Sequence, residues 1–238
     1  VTGTEENNVL DGANFGLSYQ GHGGDDTITA GVGDDTIDGG TGNDTIADAG
    51  GTNTIDGGAG NDTITNGGGN NTIDAGSGDD TVTVSGWGTS SVQGGAGNDA
   101  LSLDWTQSGT LNGGAGDDVL TKVGDGYGTE GYYNTAATLI GGTGNDTLTG
   151  NSEADTYVFN RGDGQDTILD ANVGAVYYGN HTDTISFGIG ITSSNLAVSR
   201  VGNDLLVKVT DPGNPSATDQ ITIQNWWASS IYWVESFS

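Results

Sequence analysis

Cysteine and methionine are both absent from these 238 residues, and the basic side chains are only four: Lys122, Arg161, Arg200 and Lys208. Without cysteine there is no disulfide and no thiolate metal site. With the acidic residues counted, the formal net charge is −28. A chain so poor in clustered cations cannot track a phosphate backbone, which excludes nucleic acid and argues against anionic membrane surfaces as partners. No apolar run approaches the length of a membrane span, so no membrane insertion is expected. No signal peptide opens the chain, and a fragment of a longer parent protein is the expectation. Apolar residues make up 32%, low for a globular domain, and by composition alone the chain reads as disordered.

The abundant residue is glycine, with 46 copies, and its order overturns the reading of disorder. Cut into nines, residues 21–83 read GHGGDDTIT, AGVGDDTID, GGTGNDTIA, DAGGTNTID, GGAGNDTIT, NGGGNNTID and AGSGDDTVT. The pattern is Gly-Gly-x-Gly-x-Asp-x-U-x, with U a large aliphatic. Each nine divides into a six-residue turn, where glycine supplies positive φ, and a three-residue strand with one side chain pointing inward. One aliphatic per strand is a thin core, so the fold needs a further source of stability. Stacked aspartates would repel one another, and a hard divalent cation with oxygen ligands would reverse that sign, making metal binding part of the folding free energy.

These nines resemble the RTX (repeats-in-toxin, haemolysin-type) calcium-binding repeats. The resemblance implies an all-β chain: a right-handed parallel β-roll, or solenoid, over residues 1–170, irregular at 84–140. A β-rich flanking segment, 171–238, would follow with an antiparallel cap. It also implies two nonapeptides per turn, so that loops eighteen residues apart stack and share calcium ions. The sixth positions of alternate repeats read Asn8, Asp26, Asp44, Asp62, Asp80, Asp99, Asp118, Asp146 and Asp166, a column that survives every change of repeat length. The other column reads Leu17, Asp35, Asn53 and Asn71, loses its aspartates through VSGWGTSSVQ and LDWTQSGTLN, and returns at Asp155. In the family, loop carbonyls and the Asp carboxylate surround each ion. That carries ligand roles to the sixth-position aspartates from Asp26 to Asp166, to Asp163 beside the last of them, and more weakly to Asp35. The loops they close are marked by Gly24, Gly42, Gly60, Gly78, Gly97, Gly116 and Gly144.

Residues 3–20 form a degenerate first coil, 122–140 an inserted loop rich in glycine and tyrosine, and TYVFNRGDGQDTILD (156–170) resembles the end of RTX rolls. Beyond it DTISF, NLAVSR, DLLVKV, DQITIQNWW and IYWVESF read as short strands. His22 and His181 are isolated, and no catalytic constellation stands out, so a non-enzymatic module is expected. The RTX resemblance implies calcium as the cofactor, export by type I secretion to the medium or cell surface, and a larger adhesin or exoprotein as parent. Two further readings remain open. Trp87 and Trp105, eighteen residues apart, with Tyr127, either pack where calcium loops have worn away or form an aromatic platform for extracellular polysaccharide. The Thr-x-Thr triplets either reflect β-propensity or form an ice-binding ladder.

Overall fold

The structure is a computed structural model, and it describes residues 1–12, 14–104, 107–123, 135–170, 182–214, 216–229 and 233–238. Consecutive nines alternate between two parallel sheets. Sheet I stacks Val9–Asp11, Thr27–Ala30, Thr45–Asp48, Thr63–Asn66, Thr81–Val84, Ala100–Leu103, Val119–Lys122, Thr147–Thr149 and Gln165–Leu169. Sheet II stacks Ser18–Gln20, Thr36–Thr41, Thr54–Ala59, Thr72–Ser77, Gly88–Ala96, Gln107–Ala115, Ala137–Thr143 and Thr156–Phe159. In the regular coils the central aliphatic is buried and its flanking residues are exposed, as period-two geometry requires. Register follows the repeat: Ile28 sits beside Ile46, which sits beside Ile64, then Val82 and Leu101.

The second ladder runs Tyr19, Ile37, Ile55, Ile73, Val92, Leu111, Leu139 and Tyr157. All of these side chains are buried, and the two ladders form one continuous core. The ten-residue segments do not interrupt it. They lengthen the strands of sheet II, so that Gly88–Ala96 and Gln107–Ala115 pair along nearly their whole length.

The segment after the repeats joins the same two sheets. Thr184–Phe187 pairs in parallel with Thr156–Phe159, and Ser236–Phe237 pairs in parallel with Thr184–Phe187. On sheet I, Gln220–Ile223 lies parallel to Gln165–Leu169. Among the described residues, Leu196–Val201 and Asp204–Val209 add the antiparallel strands at that edge, turning through Gly202 at φ 64°. Ile185 and Ile223 prolong the two aliphatic ladders. Trp226 packs on the core and stacks with Trp233 at 5.9 Å, whereas Trp227 is half exposed beneath the Arg200 guanidinium, 5.1 Å from its ring centre.

Ile55 lies between Ile37 and Ile73 with nothing to replace its bulk. Ile55→Ala should therefore cost ~2–5 kcal/mol, the usual range for truncating a buried isoleucine. Urea unfolding in calcium measures this, and a loss below ~1 kcal/mol would show that the ladder is not close-packed.

Candidate metal columns

Each first-column loop runs from a strand of sheet II to the next strand of sheet I. Its sixth-position aspartate is buried, and one carboxylate oxygen has a fixed partner in the preceding coil. The Asp26 amide donates to Asp44 Oδ1 at 2.7 Å, Asp44 to Asp62 at 2.7 Å, and Asp62 to Asp80 at 2.7 Å. Asp80 donates to Asp99 at 2.9 Å, Asp99 to Asp118 at 2.8 Å, Asp118 to Asp146 at 2.8 Å and Asp146 to Asp166 at 3.1 Å. The ladder spans all the irregular steps, because the extra residues lie outside the loops it joins.

A second ladder on the solvent side runs in the opposite sense. The fifth-position amide of Asn43 donates back to Asp25 Oδ1 at 2.7 Å, Asn61 to Asn43 at 2.7 Å, and Asp79 to Asn61 at 3.0 Å. Asn98, Asp117 and Asn145 continue it. The sequence reading missed this role; the signal was the Asn or Asp before each sixth-position aspartate from Asp26 to Asp146, with Gln165 before Asp166. Glycine at the fourth position is required by geometry. Gly60 has φ 129° and Gly97 has φ 136°, and a Cβ on either would strike the carbonyl oxygen of the matching glycine one coil back.

The other carboxylate oxygen decides what the column can do. Oδ2 of Asp26, Asp44, Asp62, Asp80, Asp99, Asp118, Asp146 and Asp166 is buried and accepts no hydrogen bond. Glycine at the first position faces it: a Cβ on Gly39, Gly57, Gly94, Gly113 or Gly141 would collide with Oδ2 of the aspartate five residues on. Burial pushes the carboxyls of Asp62 and Asp118 up to about 7, Asp80 and Asp146 up to about 6, and Asp166 up to about 8, with neighbouring carboxylates adding to the rise. Bare, buried, mutually repelling anions in a row are costly without a counter-charge. A hard divalent cation takes just such carboxylate and carbonyl oxygens, so the donor set fits calcium.

Asp163 lies beside the end of this column. Its Oδ2 accepts from the Asn160 amide at 2.7 Å and from Asn160 Nδ2 at 3.2 Å, so it is less bare than its neighbours. Asp219 from the flanking segment reaches the same place and accepts the Gly162 amide at 2.8 Å. His22 adopts φ 77°, a turn that glycine takes elsewhere.

The second column carries the same inner ladder from Leu17 to Asp35, Asn53 and Asn71, at 2.7, 2.8 and 2.9 Å. Its first positions differ. Where the first-column loops from Asp26 to Asp146 have glycine or alanine, this one has Ala30, Asp48, Asn66, Val84, Leu103 and Lys122 in register, all buried. Asn53 Nδ2 donates to Asp48 Oδ1 at 2.7 Å, and Asn71 Nδ2 donates to Asn66 Oδ1 at 2.8 Å. Amide hydrogens thus occupy the place where the first column presents bare oxygen. Asp35 is the exception, since its Oδ2 and that of Asp48 are both unpartnered. Farther on, the Lys122 ammonium is enclosed and donates to the Asp104 carbonyl at 2.6 Å. Burial lowers its pKa to about 8, against the opposing pull of Asp155, Asp104 and Glu153.

The ladder then resumes from Ala137 to Asp155 at 2.7 Å, Asp155 to Asp183 at 2.8 Å and Asp183 to Glu235 Oε2 at 2.9 Å. Asp183 and Glu235 were absent from the sequence assignment. Asp183-Thr184-Ile185 repeats the Asp-Thr-Ile signature, and its 28-residue step from Asp155 equals that from Asp118 to Asp146. Trp87 lies on this side and is 57% exposed. Trp105 and Tyr127 fall outside the described residues. On sheet I the exposed threonine pairs give way at Ala47, Ala100 and Val119.

The raised carboxyls set a pH dependence for the metal-free chain. A carboxyl with a folded pKa above its ordinary value binds protons more tightly in the coil than in the unfolded chain. The coil is therefore favoured at acid pH, and that stability is lost as pH rises through ~4 to ~8. In calcium-stripped buffer, far-ultraviolet circular dichroism should show more β structure at about pH 5.5 than at about pH 8. The opposite order would mean that the column is not the seat of repulsion.

The family described as "RTX calcium-binding nonapeptide repeat (4 copies)" matches residues 18–46, 49–82, 85–105, 108–121 and 134–168. The "Haemolysin-type calcium binding protein related domain" matches residues 204–238. The iron-regulated protein FrpA of Neisseria meningitidis serogroup C is 38% identical over 72 residues, which are 30% of this chain and 6% of that protein. The chain thus corresponds to a small part of that relative's length. The extracellular lipase LipA of Serratia marcescens aligns over 92% of this chain and 36% of its own, with 18% identity and a TM-score of 0.32. With the family's repeats matched over more than half of its length, on the very loops that build the two ladders, the chain is a member of the RTX calcium-binding nonapeptide repeat family.

Proposed function

We propose that the first column is a calcium-loaded spine, with Asp26, Asp44, Asp62, Asp80, Asp99, Asp118, Asp146 and Asp166 as carboxylate ligands and Asp163 at its end. The loops of Gly24, Gly42, Gly60, Gly78, Gly97, Gly116 and Gly144 supply the carbonyls. The observation that carries this reading is the run of buried Oδ2 atoms without a hydrogen-bond partner. Calcium supplies the positive charge that lets successive coils close. This chain's own residues do the rest: Oδ1 fixes each carboxylate to the coil before it, and the first-position glycine leaves room beside Oδ2.

The module is then a folding and binding element rather than a catalyst. It belongs to a longer exported protein, unfolded where calcium is scarce and folded outside the cell or at its surface. Residues 1–170 act as the calcium roll, and 171–238 as the segment that closes its end. Family membership, the charge of −28 and the absence of cysteine support this reading. An adhesin or exoprotein is the parent we favour.

The test compares two ways of removing one negative charge. Asp62→Asn and Asp80→Asn keep an Oδ1 acceptor for the ladder but lose the charged ligand. Asp56→Asn removes an exposed carboxylate of sheet II that lies between Asp38 and Asp74. The calcium midpoint for the appearance of β structure should rise about tenfold in the first two, equivalent to ~1.4 kcal/mol. It should stay or fall in Asp56→Asn. Equal shifts in all three would reduce the effect to overall charge and contradict the spine.

A further inference from the structure

The second column ends in a cluster to which the repeat pattern contributes Asp155 and Asp183 but not Asp170. Asp155 precedes the strand Thr156–Phe159, Asp170 follows Gln165–Leu169, and Asp183 precedes Thr184–Phe187. Each is fully buried. One carboxylate oxygen from each lies within 4.8 Å of the other two. The partners are defined on most sides. Asp155 accepts the amides of Ala137 at 2.7 Å and Asn151 at 2.8 Å. Asp183 accepts the Asp155 amide at 2.8 Å. Asp170 Oδ2 accepts the Tyr157 hydroxyl at 2.7 Å.

Asp170 Oδ1 remains without a partner in the interior. In the first-column loops from Asp26 to Asp146 the same place is held by glycine or alanine, so the Asp170 carboxylate is an addition to that pattern. Lys122 and Glu153 both act on Asp155, one cationic and one anionic, and Glu235 adds its charge near Asp170. Three carboxyls packed this closely and shielded from water need either shared protons or a multivalent cation.

We propose that Asp155, Asp170 and Asp183 form a further site for a hard divalent cation, and that this site fastens the flanking segment to the roll. Two ligands come from the coil that ends the repeats, and the third from the first strand beyond them. Oxygen-only donors of this charge suit calcium and do not suit the softer metals that prefer nitrogen or sulfur. The site also ties three rungs of sheet II together, since Asp183 is in turn bonded to Glu235 beside the strand Ser236–Phe237. Closing the flanking segment thereby becomes calcium-dependent in its own right, separately from the spine.

Calcium bound per chain is counted by elemental analysis on the full chain after equilibration with calcium and desalting. The wild type is compared with Asp170→Asn, Asp183→Asn and the double variant. Each single variant should lose one ion, and the double variant should lose no more than one. Hydrogen exchange should rise at Thr184–Phe187 and Gln220–Ile223 while the coils from Thr54 to Val84 stay protected. An unchanged count, with the flanking segment better protected in calcium-free buffer, would mean that protons neutralise the cluster and would overturn the proposal. If Asp170→Asn unfolds the whole chain, Asp183→Asn decides, because its Oδ1 still accepts the Asp155 amide. A wild-type chain that binds no calcium would sink the spine as well, whereas several ions with no loss in the variants would sink this site alone.

Discussion

The fold turns on one constraint: a file of carboxylate oxygens is buried with no protein hydrogen to meet it. The coil offers little to outweigh that cost, since each regular nonapeptide buries a single large aliphatic and the chain carries −28. Hydrogen bonding satisfies one oxygen of each aspartate and leaves the second exposed to its neighbours' charge. Protons can relieve the repulsion in acid, as the upward-shifted carboxyls record. At neutral pH a divalent cation would do so, and the chain belongs to a family of calcium-binding repeats.

The two columns show how one turn geometry serves two ends. First positions occupied by glycine leave a lane beside the carboxylates. First positions occupied by Asp48, Asn66, Val84, Leu103 or Lys122 fill it with amide contacts, hydrocarbon or a fixed ammonium. Lys122 is the clearest case, a covalently attached positive charge on the side where the aspartates have been lost. Among the described residues, the carboxylate ladder of this second side resumes at Asp155 and runs on through Asp183 to Glu235.

Much of this was legible in the sequence because glycine, aspartate and aliphatic positions are locked to one another by the turn. The alternation of sheets, the aliphatic ladders and the first-column aspartates follow from counting in nines and eighteens. The count carried Asp146 and Asp155 across the insertion at 122–140, but it did not reach past Asp170. Asp183 was read as the start of a cap strand, yet it sits in the same ladder as Asp155, because the intervening residues leave the register of sheet II intact. Asp219 reaches the end of the first column through a parallel pairing that no local pattern announces. Lys122 escaped notice because one basic residue among many acidic ones looks solvated, and only the pairing of Leu103 with Lys122 places it indoors. The aromatic reading rested on Trp87 and Trp105, and only the first lies among the described residues.

The most direct test of the account looks at the amides that hold the carboxylates in file. Those of Asp44, Asp62, Asp80, Asp99 and Asp118 donate to the aspartate of the following coil. Residue-resolved hydrogen exchange at neutral pH, with and without calcium, reports whether that file exists in each state. The account predicts strong protection of these amides in calcium and near-free exchange once calcium is stripped. Equal protection in both states would show that the column closes without a cation, and would contradict it.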